Sequence, residues 1–191
     1  MRKLSPSISR LRLKLCTLAA LFLVWDTPAS ALPVTYAESG RLFTSFVAPY
    51  DGTMQLDGTV TFPTPLADNL KLQDFAAGFG TGGGSYSFSD GVMDYTLSNS
   101  TLGDLQFSTD QNGNVVAWQV EIFSDAGPMI LSQNLPSVPD SGFDKVLSSS
   151  AQQTALSDGP ATWTVVPEPA VSALALTGLS VLGLVMRRGR T

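Results

Sequence analysis

The sequence predicts a small all-β domain, an antiparallel β-sandwich or partly open barrel, over residues 32–165. Three observations predict it. Apolar and polar residues alternate with a period of two in several short stretches, which is the pattern of half-buried strands. Turn-forming Asp-Gly and Asn-Gly pairs separate these stretches. The chain also contains 17 glycines and 12 prolines, which interrupt it at the short intervals that are typical of sandwiches and barrels.

The clearest strand is predicted at residues 115–123, which follow a turn at residues 110–114. Its alternation places four apolar residues on one face, namely Val116, Trp118, Val120 and Ile122. Residues 105–109 form a short strand before the turn, so the two strands make a hairpin.

A second hairpin is predicted from residues 86–89 and 92–97, joined by a two-residue turn at Asp90-Gly91. Further strands are expected at residues 42–47, Gln55–Phe62 and 161–165. Residues 143–156 alone show a helical tendency, which a run of three serines weakens.

Residues 1–31 have the organisation of a secretory signal peptide. Five Lys and Arg residues within the first 14 positions precede an apolar run at residues 15–25. Small residues at Ala29 and Ala31 suit signal peptidase, so we predict cleavage after Ala31. The alternative is an N-terminal membrane anchor, but 11 helical residues extend only about 16 Å across a hydrocarbon core of about 30 Å.

The C-terminal segment, residues 166–191, combines three features in order. Pro167, Glu168 and Pro169 precede an uncharged apolar run at residues 170–186, and Arg187, Arg188 and Arg190 follow it. A helix of that length extends about 26 Å, the short limit of a membrane span. Since arginines remain on the cytoplasmic side, we predict a single transmembrane helix at residues 170–186 with the β-domain outside.

This order of features resembles the PEP-CTERM sorting signal. The resemblance covers residues 166–191 and implies recognition of Pro167, Glu168 and Pro169 by an exosortase, a membrane-embedded enzyme of Gram-negative bacteria that make exopolysaccharide. It also implies removal of the helix, so the precursor is held transiently in the inner membrane and the mature form reaches the cell surface or the extracellular biofilm matrix. The alternative is a permanently anchored protein in which the tripeptide is incidental.

Charge and composition exclude several functions. The predicted domain has 14 of the 16 acidic residues but only three of the 11 Lys and Arg, a net charge of about −11. Such a surface cannot neutralise phosphates, so nucleic-acid binding is excluded. Without histidine, and with its one cysteine at Cys16, the domain cannot form the usual nucleophilic triads or zinc sites. We expect no cofactor. A glycosidase with two carboxylates is the one enzyme class that the composition permits.

Two motifs are only weak indications of a binding site. Residues 78–83 spell GxGxxG, but a dinucleotide site needs a helix after the glycines, and here a hairpin is predicted, so we expect a loop. Residues 110–121 place acidic and amide side chains at EF-hand spacing, yet Val115 occupies the position that needs glycine. A looser calcium site at Asp110 and Asp125 is retained as a hypothesis. Trp118 and Trp163 are expected in the core.

The sequence therefore predicts a non-catalytic surface or matrix protein that signal peptidase and exosortase process and that associates with secreted polysaccharide. The alternative is a small secreted carbohydrate-active enzyme that uses an Asp/Glu pair. Exposed aromatic residues in a groove would favour binding. Two carboxyl groups about 5–10 Å apart in a cleft would favour hydrolysis.

Overall fold

The computed structural model describes residues 32–167, which form twelve strands in two antiparallel sheets. The prediction of an all-β, sandwich-like domain is confirmed. The predicted signal peptide (residues 1–31) and transmembrane helix (residues 170–186) lie outside the described residues. Within residues 32–167 there is no helix long and apolar enough to cross a membrane.

The first sheet has five strands in the order β12-β1-β3-β5-β6. They are β1 (Val34–Leu42), β3 (Gln55–Phe62), β5 (Ser85–Ser89), β6 (Asp94–Thr96) and β12 (Thr162–Val166). The second has seven strands in the order β2-β11-β10-β9-β8-β7-β4. They are β2 (Ser45–Phe46), β4 (Gln73–Asp74), β7 (Ser100–Thr109), β8 (Val115–Ser124), β9 (Met129–Asn134), β10 (Phe143–Leu147) and β11 (Gln153–Leu156).

The core lies between the inner faces of the two sheets. Alternate residues of each strand point inward because successive side chains of a strand lie on opposite faces. The fully buried aliphatic and aromatic residues include Leu56, Val60, Phe88, Tyr95, Leu105, Phe107, Val120, Ile122, Ile130 and Val146. With no cysteine among residues 32–167, this apolar interior is the main source of stability.

The predicted β7–β8 hairpin is confirmed, with one correction. Trp118, Val120 and Ile122 point into the core as expected. Val116 does not, because a bulge pairs Ser108 with Ala117 but Thr109 with Val115. Val116 is left without a partner and is 45% exposed. An extra residue in one strand shifts all residues beyond it to the opposite face.

The β5–β6 hairpin is present, but the predicted two-residue turn is wrong. Ser89 pairs with Asp94, so residues 90–93 form a four-residue loop. The carboxylate of Asp90 accepts hydrogen bonds from the backbone amides of Val92 and Met93 at 2.9 and 2.7 Å. These bonds use the amides that would otherwise extend the strand, so β6 begins at Asp94.

The helical tendency at residues 143–156 was also a wrong prediction, because this segment is the β10–β11 hairpin. Asp144 and Val146 point inward and are fully buried, while Lys145 points outward over the ring of Phe143 at 4.7 Å. The serine run forms the turn, with the backbone amide of Ala151 donating to the carbonyl of Ser148 at 2.8 Å. Inward and outward side chains of β10 therefore alternate with the period of two that is typical of a strand.

Two long strands, β1 and β9, were not predicted, and the strand predicted at residues 42–47 is divided. Leu42 ends β1 in the first sheet, whereas Ser45–Phe46 pairs with β11 in the second. The chain thus crosses from one sheet to the other at residues 43–44. The result is a sandwich in which β1 faces β9 and β10 across the core.

Candidate functional site

Two carboxyl groups from opposite sheets lie together inside the sandwich. Glu38 comes from the centre of β1 and is 4% exposed, and Asp144 comes from β10 and is fully buried. Both occupy inward positions of their strands. Asp144 reaches the backbone of β1, since a Cβ atom added to Gly40 would lie 2.8 Å from its Oδ2 atom. A Cβ atom at this position would also lie 2.1 Å from the backbone oxygen of Leu56, so glycine is required there.

Side chains of the second sheet hold one oxygen of each carboxyl group. Trp118 Nε1 donates to Ser132 Oγ at 2.9 Å, and Ser132 Oγ donates to Glu38 Oε1 in a short contact. Ser157 Oγ lies 3.4 Å from Asp144 Oδ2 and accepts from the Asp144 backbone amide at 3.0 Å. The other two oxygens, Glu38 Oε2 and Asp144 Oδ1, are buried and have no hydrogen-bond partner.

Burial favours the protonated form of both groups. Desolvation, and then the negative charge of Asp144, raise the pKa of Glu38 well above its ordinary value, while the Ser132 hydroxyl opposes the rise. Desolvation also raises the pKa of Asp144 to about 6. The charge of Asp57 adds to both shifts. A buried carboxyl group without a cation is more stable when neutral.

A third buried carboxyl group, Asp90, has a different environment. Besides the two loop amides, it accepts hydrogen bonds from the hydroxyls of Tyr50 and Tyr95 at 2.8 and 2.7 Å. Burial, together with the bonds to Asp90, raises the pKa of both tyrosines, so they remain donors. Four donors satisfy this carboxylate, and its role is to fix the β5–β6 loop.

The tryptophans belong to the core, as expected. Trp118 is 3% exposed. The ring of Trp163 on β12 contacts those of Phe107, Phe88 and Trp118 with centroids 5.0, 6.3 and 6.3 Å apart. Such edge-to-face contacts are typical of aromatic cores, and neither residue forms a platform for a sugar.

Two shallow cavities flank the glycine-rich loop at residues 78–83. One of about 360 Å³ is lined by apolar residues that include Phe62, Leu66 and Phe79, and the other, of about 450 Å³, by Phe79, Leu97 and Thr101 among others. No charged side chain lines either cavity. The loop is followed by β5, so the GxGxxG stretch is a loop as predicted and has no helix to bind a pyrophosphate.

The structure does not bring Asp110 and Asp125 together. They lie beyond opposite ends of β8, whose ten residues extend about 33 Å. The carboxylate of Asp110 is occupied by the backbone amides of Asn112 and Asn114 at 2.8 and 3.0 Å. Within residues 32–167 there is no cluster of three or more potential metal-ligating side chains. The two carboxylates therefore cannot bind the same calcium ion.

The sorting residues lie at or beyond the end of the described chain. Pro167 is its last residue and directly follows β12. The remaining predicted processing residues, Ala29, Ala31, Glu168, Pro169, Arg187, Arg188 and Arg190, lie outside the described residues. Comparison of the chain with protein-family models, with curated proteins and with solved structures finds no match.

The sequence analysis missed Glu38, Ser132 and Asp144. A signal was available, because an acidic residue at an inward strand position is rare and costly. It could be used only once the strands themselves were known. The arrangement can bind and hold a proton. Glu38 and Asp144 line neither described cavity, so neither cavity brings a substrate to them.

Proposed function

We propose that the chain is an exported protein that an exosortase sorts to the cell surface or extracellular matrix, where its β-domain acts without catalysis. The observation that carries the proposal is the tail itself, with a Pro-Glu-Pro motif, an apolar run and terminal arginines in order. Together with the predicted signal peptide at residues 1–31, these three features support export and processing, and they are independent of the chemistry of the domain.

The position of the motif relative to the fold supports this proposal. Strand β12 ends at Val166, and the motif begins at the next residue, Pro167. Proline is unfavourable in the interior of a helix or a sheet, so the sequence predicts extended chain at the motif. An extended segment at the end of a folded domain is what a processing enzyme requires of its substrate.

The inner carboxyl pair supports the non-catalytic part of the proposal. Glu38 and Asp144 are buried carboxyl groups with raised pKa values, and such groups mark active sites when they lie in a cleft. Here they lie between the sheets and line neither cavity. A general acid must come within hydrogen-bond distance of its substrate, which this pair cannot do in the folded domain.

The test is the intact mass and location of the protein in a bacterium that has an exosortase and in the same strain without it. We expect the mature protein to lack the apolar run when the enzyme is present and to retain it in the membrane when it is absent. Glu168→Ala should leave the unprocessed form in both strains.

The matched control is Thr177→Ala, which changes the apolar run and leaves the motif intact. This variant should be processed like the wild type. An apolar tail that survives in the presence of an active exosortase would refute the proposal and would favour permanent anchoring.

The second candidate, a carbohydrate-active enzyme, has one observation in its favour. On the outer face of the second sheet, Glu121 pairs directly with Asp104 across β7 and β8. Burial, and then the charge of Asp104, raise the pKa of Glu121, while Gln119 Nε2 donates to Asp104 Oδ2 at 2.7 Å. Two neighbouring carboxyl groups, one of which has a raised pKa, are the arrangement of glycosidases.

Neither of these residues lines the two cavities, which ranks this candidate second. Its test is a panel of polysaccharide hydrolysis assays on the wild type, Glu121→Gln and Asp104→Asn. Activity that either substitution abolishes would establish the enzyme, and activity that survives both would exclude this pair as its site.

A further inference from the structure

The two unpartnered oxygens of the inner site belong to neighbouring carboxyl groups. Glu38 Oε2 and Asp144 Oδ1 are the only buried side-chain oxygens of residues 32–167 without a hydrogen-bond partner. An unsatisfied buried polar atom is destabilising, and two ionised carboxylates in a dry interior are more so. Protonation of a buried carboxyl group removes its charge and lowers this cost.

The elements around the site supply no cation that could take the place of this proton. Strands β8, β9, β11 and β12 direct no charged side chain toward it, and β3 contributes another acid, Asp57. On β1, Arg41 is exposed and lies beside Gly159. On β10, Lys145 points outward over Phe143, and Asp158, after β11, accepts from Thr44 Oγ1 at 2.9 Å.

We propose that the inner pair of Glu38 and Asp144 holds at least one proton in the folded domain and that loss of this proton weakens the packing of the two sheets. Glu38 belongs to the first sheet and Asp144 to the second, and Ser132, which bonds to Glu38, lies opposite Asp144 on the neighbouring strand. When it leaves for solvent, two negative charges remain between the sheets beside Asp57. The packing of the two sheets should therefore be more stable at acidic pH than at alkaline pH.

The direction of the pH dependence follows from the raised pKa of each group. The folded domain keeps a proton that the unfolded chain has already released, so the stabilisation is complete below pH about 4 and is lost as the pH rises through the folded pKa values. Where the folded domain holds one extra proton, the folding equilibrium constant falls about tenfold for each pH unit.

The experiment is urea denaturation of the full chain in a mild detergent between pH 4 and 8, for the wild type, Glu38→Gln and Asp144→Asn. We expect the wild-type equilibrium constant to fall at least tenfold from pH 5 to 6, because the folded domain holds at least one extra proton there. Glutamine at position 38 carries a permanent donor toward Asp144 and keeps an acceptor for Ser132. Glu38→Gln should therefore flatten the profile and exceed the wild-type stability at pH 8.

Asp94→Asn is the matched control, because it removes one negative charge from an exposed strand position. It should keep the wild-type slope. If Glu38→Gln also keeps that slope, the proposal is wrong, because repulsion over the whole surface would then explain the dependence.

An infrared measurement decides the question even if the inner variants fail to fold. In Glu121→Gln, which removes the other carboxyl group whose pKa is raised, the band of a protonated carboxyl group should persist at pH 6. Its absence from this folded variant at pH 6 would overturn the proposal.

Discussion

At the scale of single residues, a tight steric constraint lies at Gly58 on β3. Gly58 pairs with Phe88 of β5, and the Phe88 ring lies against it. A Cβ atom at position 58 would lie 2.1 Å from Phe88 Cδ1 and 2.4 Å from Cε1. Phe88 is 1% exposed, so the ring has no free space into which it could move.

We therefore expect Gly58→Ala to lower the free energy of unfolding by about 1–3 kcal/mol, as other overpacked cores do. Urea denaturation measures it. The control is Gly80→Ala, whose added methyl would contact only the flexible end of Leu97 at 3.2 Å and should change stability little. Equal losses in the two variants would contradict the steric explanation.

Two tyrosines allow a comparison of a charged with a neutral acceptor. The Tyr95 hydroxyl donates to the Asp90 carboxylate at 2.7 Å, and the Tyr86 hydroxyl donates to the Ser100 carbonyl at 2.9 Å. Hydrogen bonds to charged groups contribute about 1.5–3 kcal/mol and neutral ones about 0.5–1.5. Tyr95→Phe should thus destabilise the domain more than Tyr86→Phe in thermal unfolding. The reverse order would contradict the expectation that the bond to the carboxylate is the stronger of the two.

At the scale of elements, β12 depends on one side chain. It is an edge strand that pairs only with β1, and four of its five residues are exposed. Trp163 alone points inward, where it contacts the aromatic residues of both sheets. The strand that precedes the sorting motif is thus held by one ladder of backbone hydrogen bonds and one indole ring.

Trp163→Ala should lower the free energy of unfolding by about 3 kcal/mol because the cavity it leaves is lined by large rings. Hydrogen exchange should also show that the β12 amides lose protection before those of β3. Thr164→Ala, at an exposed position of the same strand, serves as the control and should keep the wild-type protection. Unaltered protection of β12 in Trp163→Ala would show that backbone pairing alone holds the strand.

The elements that the sequence predicted and those that it missed differ in one physical respect. Strands β3 and β8 have apolar residues at their inward positions, so their period of two was visible. Strands β1, β9 and β10 instead direct Glu38, Ser132 and Asp144 inward. These polar residues remove the alternation on which the prediction depends. The polar residues of the candidate site therefore obscured the alternation of β1, β9 and β10, so neither these strands nor the site could be predicted.

Turns divide in the same way. The turn at residues 110–114 was predictable because all its contacts are local. Gly113 supplies the positive φ of 76°, and the Asp110 carboxylate accepts hydrogen bonds from the backbone amides of Asn112 and Asn114 in the same loop. The Asp90-Gly91 turn was not, because tertiary contacts from Tyr50 and Tyr95 hold the Asp90 carboxylate inside the domain and lengthen the loop. Local sequence contains no information about those partners.

At the scale of the whole molecule, the charge of about −11 over residues 32–165 governs which polymers the domain can approach. Like charges repel, so an acidic polysaccharide is disfavoured at low salt. At 20 mM salt, where charges are screened over about 20 Å, we expect the domain to co-sediment with a neutral or a cationic polysaccharide. With an acidic polysaccharide it should remain in solution.

Raising the salt concentration should weaken binding to the cationic polymer and leave binding to the neutral one unchanged. A domain that binds the acidic polymer best would contradict this expectation. Failure to bind any of the three would leave the sorting proposal intact, because that proposal rests on the terminal segments of the sequence and not on the surface of the domain.

The pairing of β1 with β12 also determines how the domain responds to mechanical force. Thr35 lies opposite Val166, so the described chain enters and leaves the sandwich at the same end. A force that pulls these two points apart acts across the strands and breaks their hydrogen bonds one after another, as in a zipper. The first bond therefore sets the resistance, and the rupture force is lower than it would be for the same five pairs loaded together in shear.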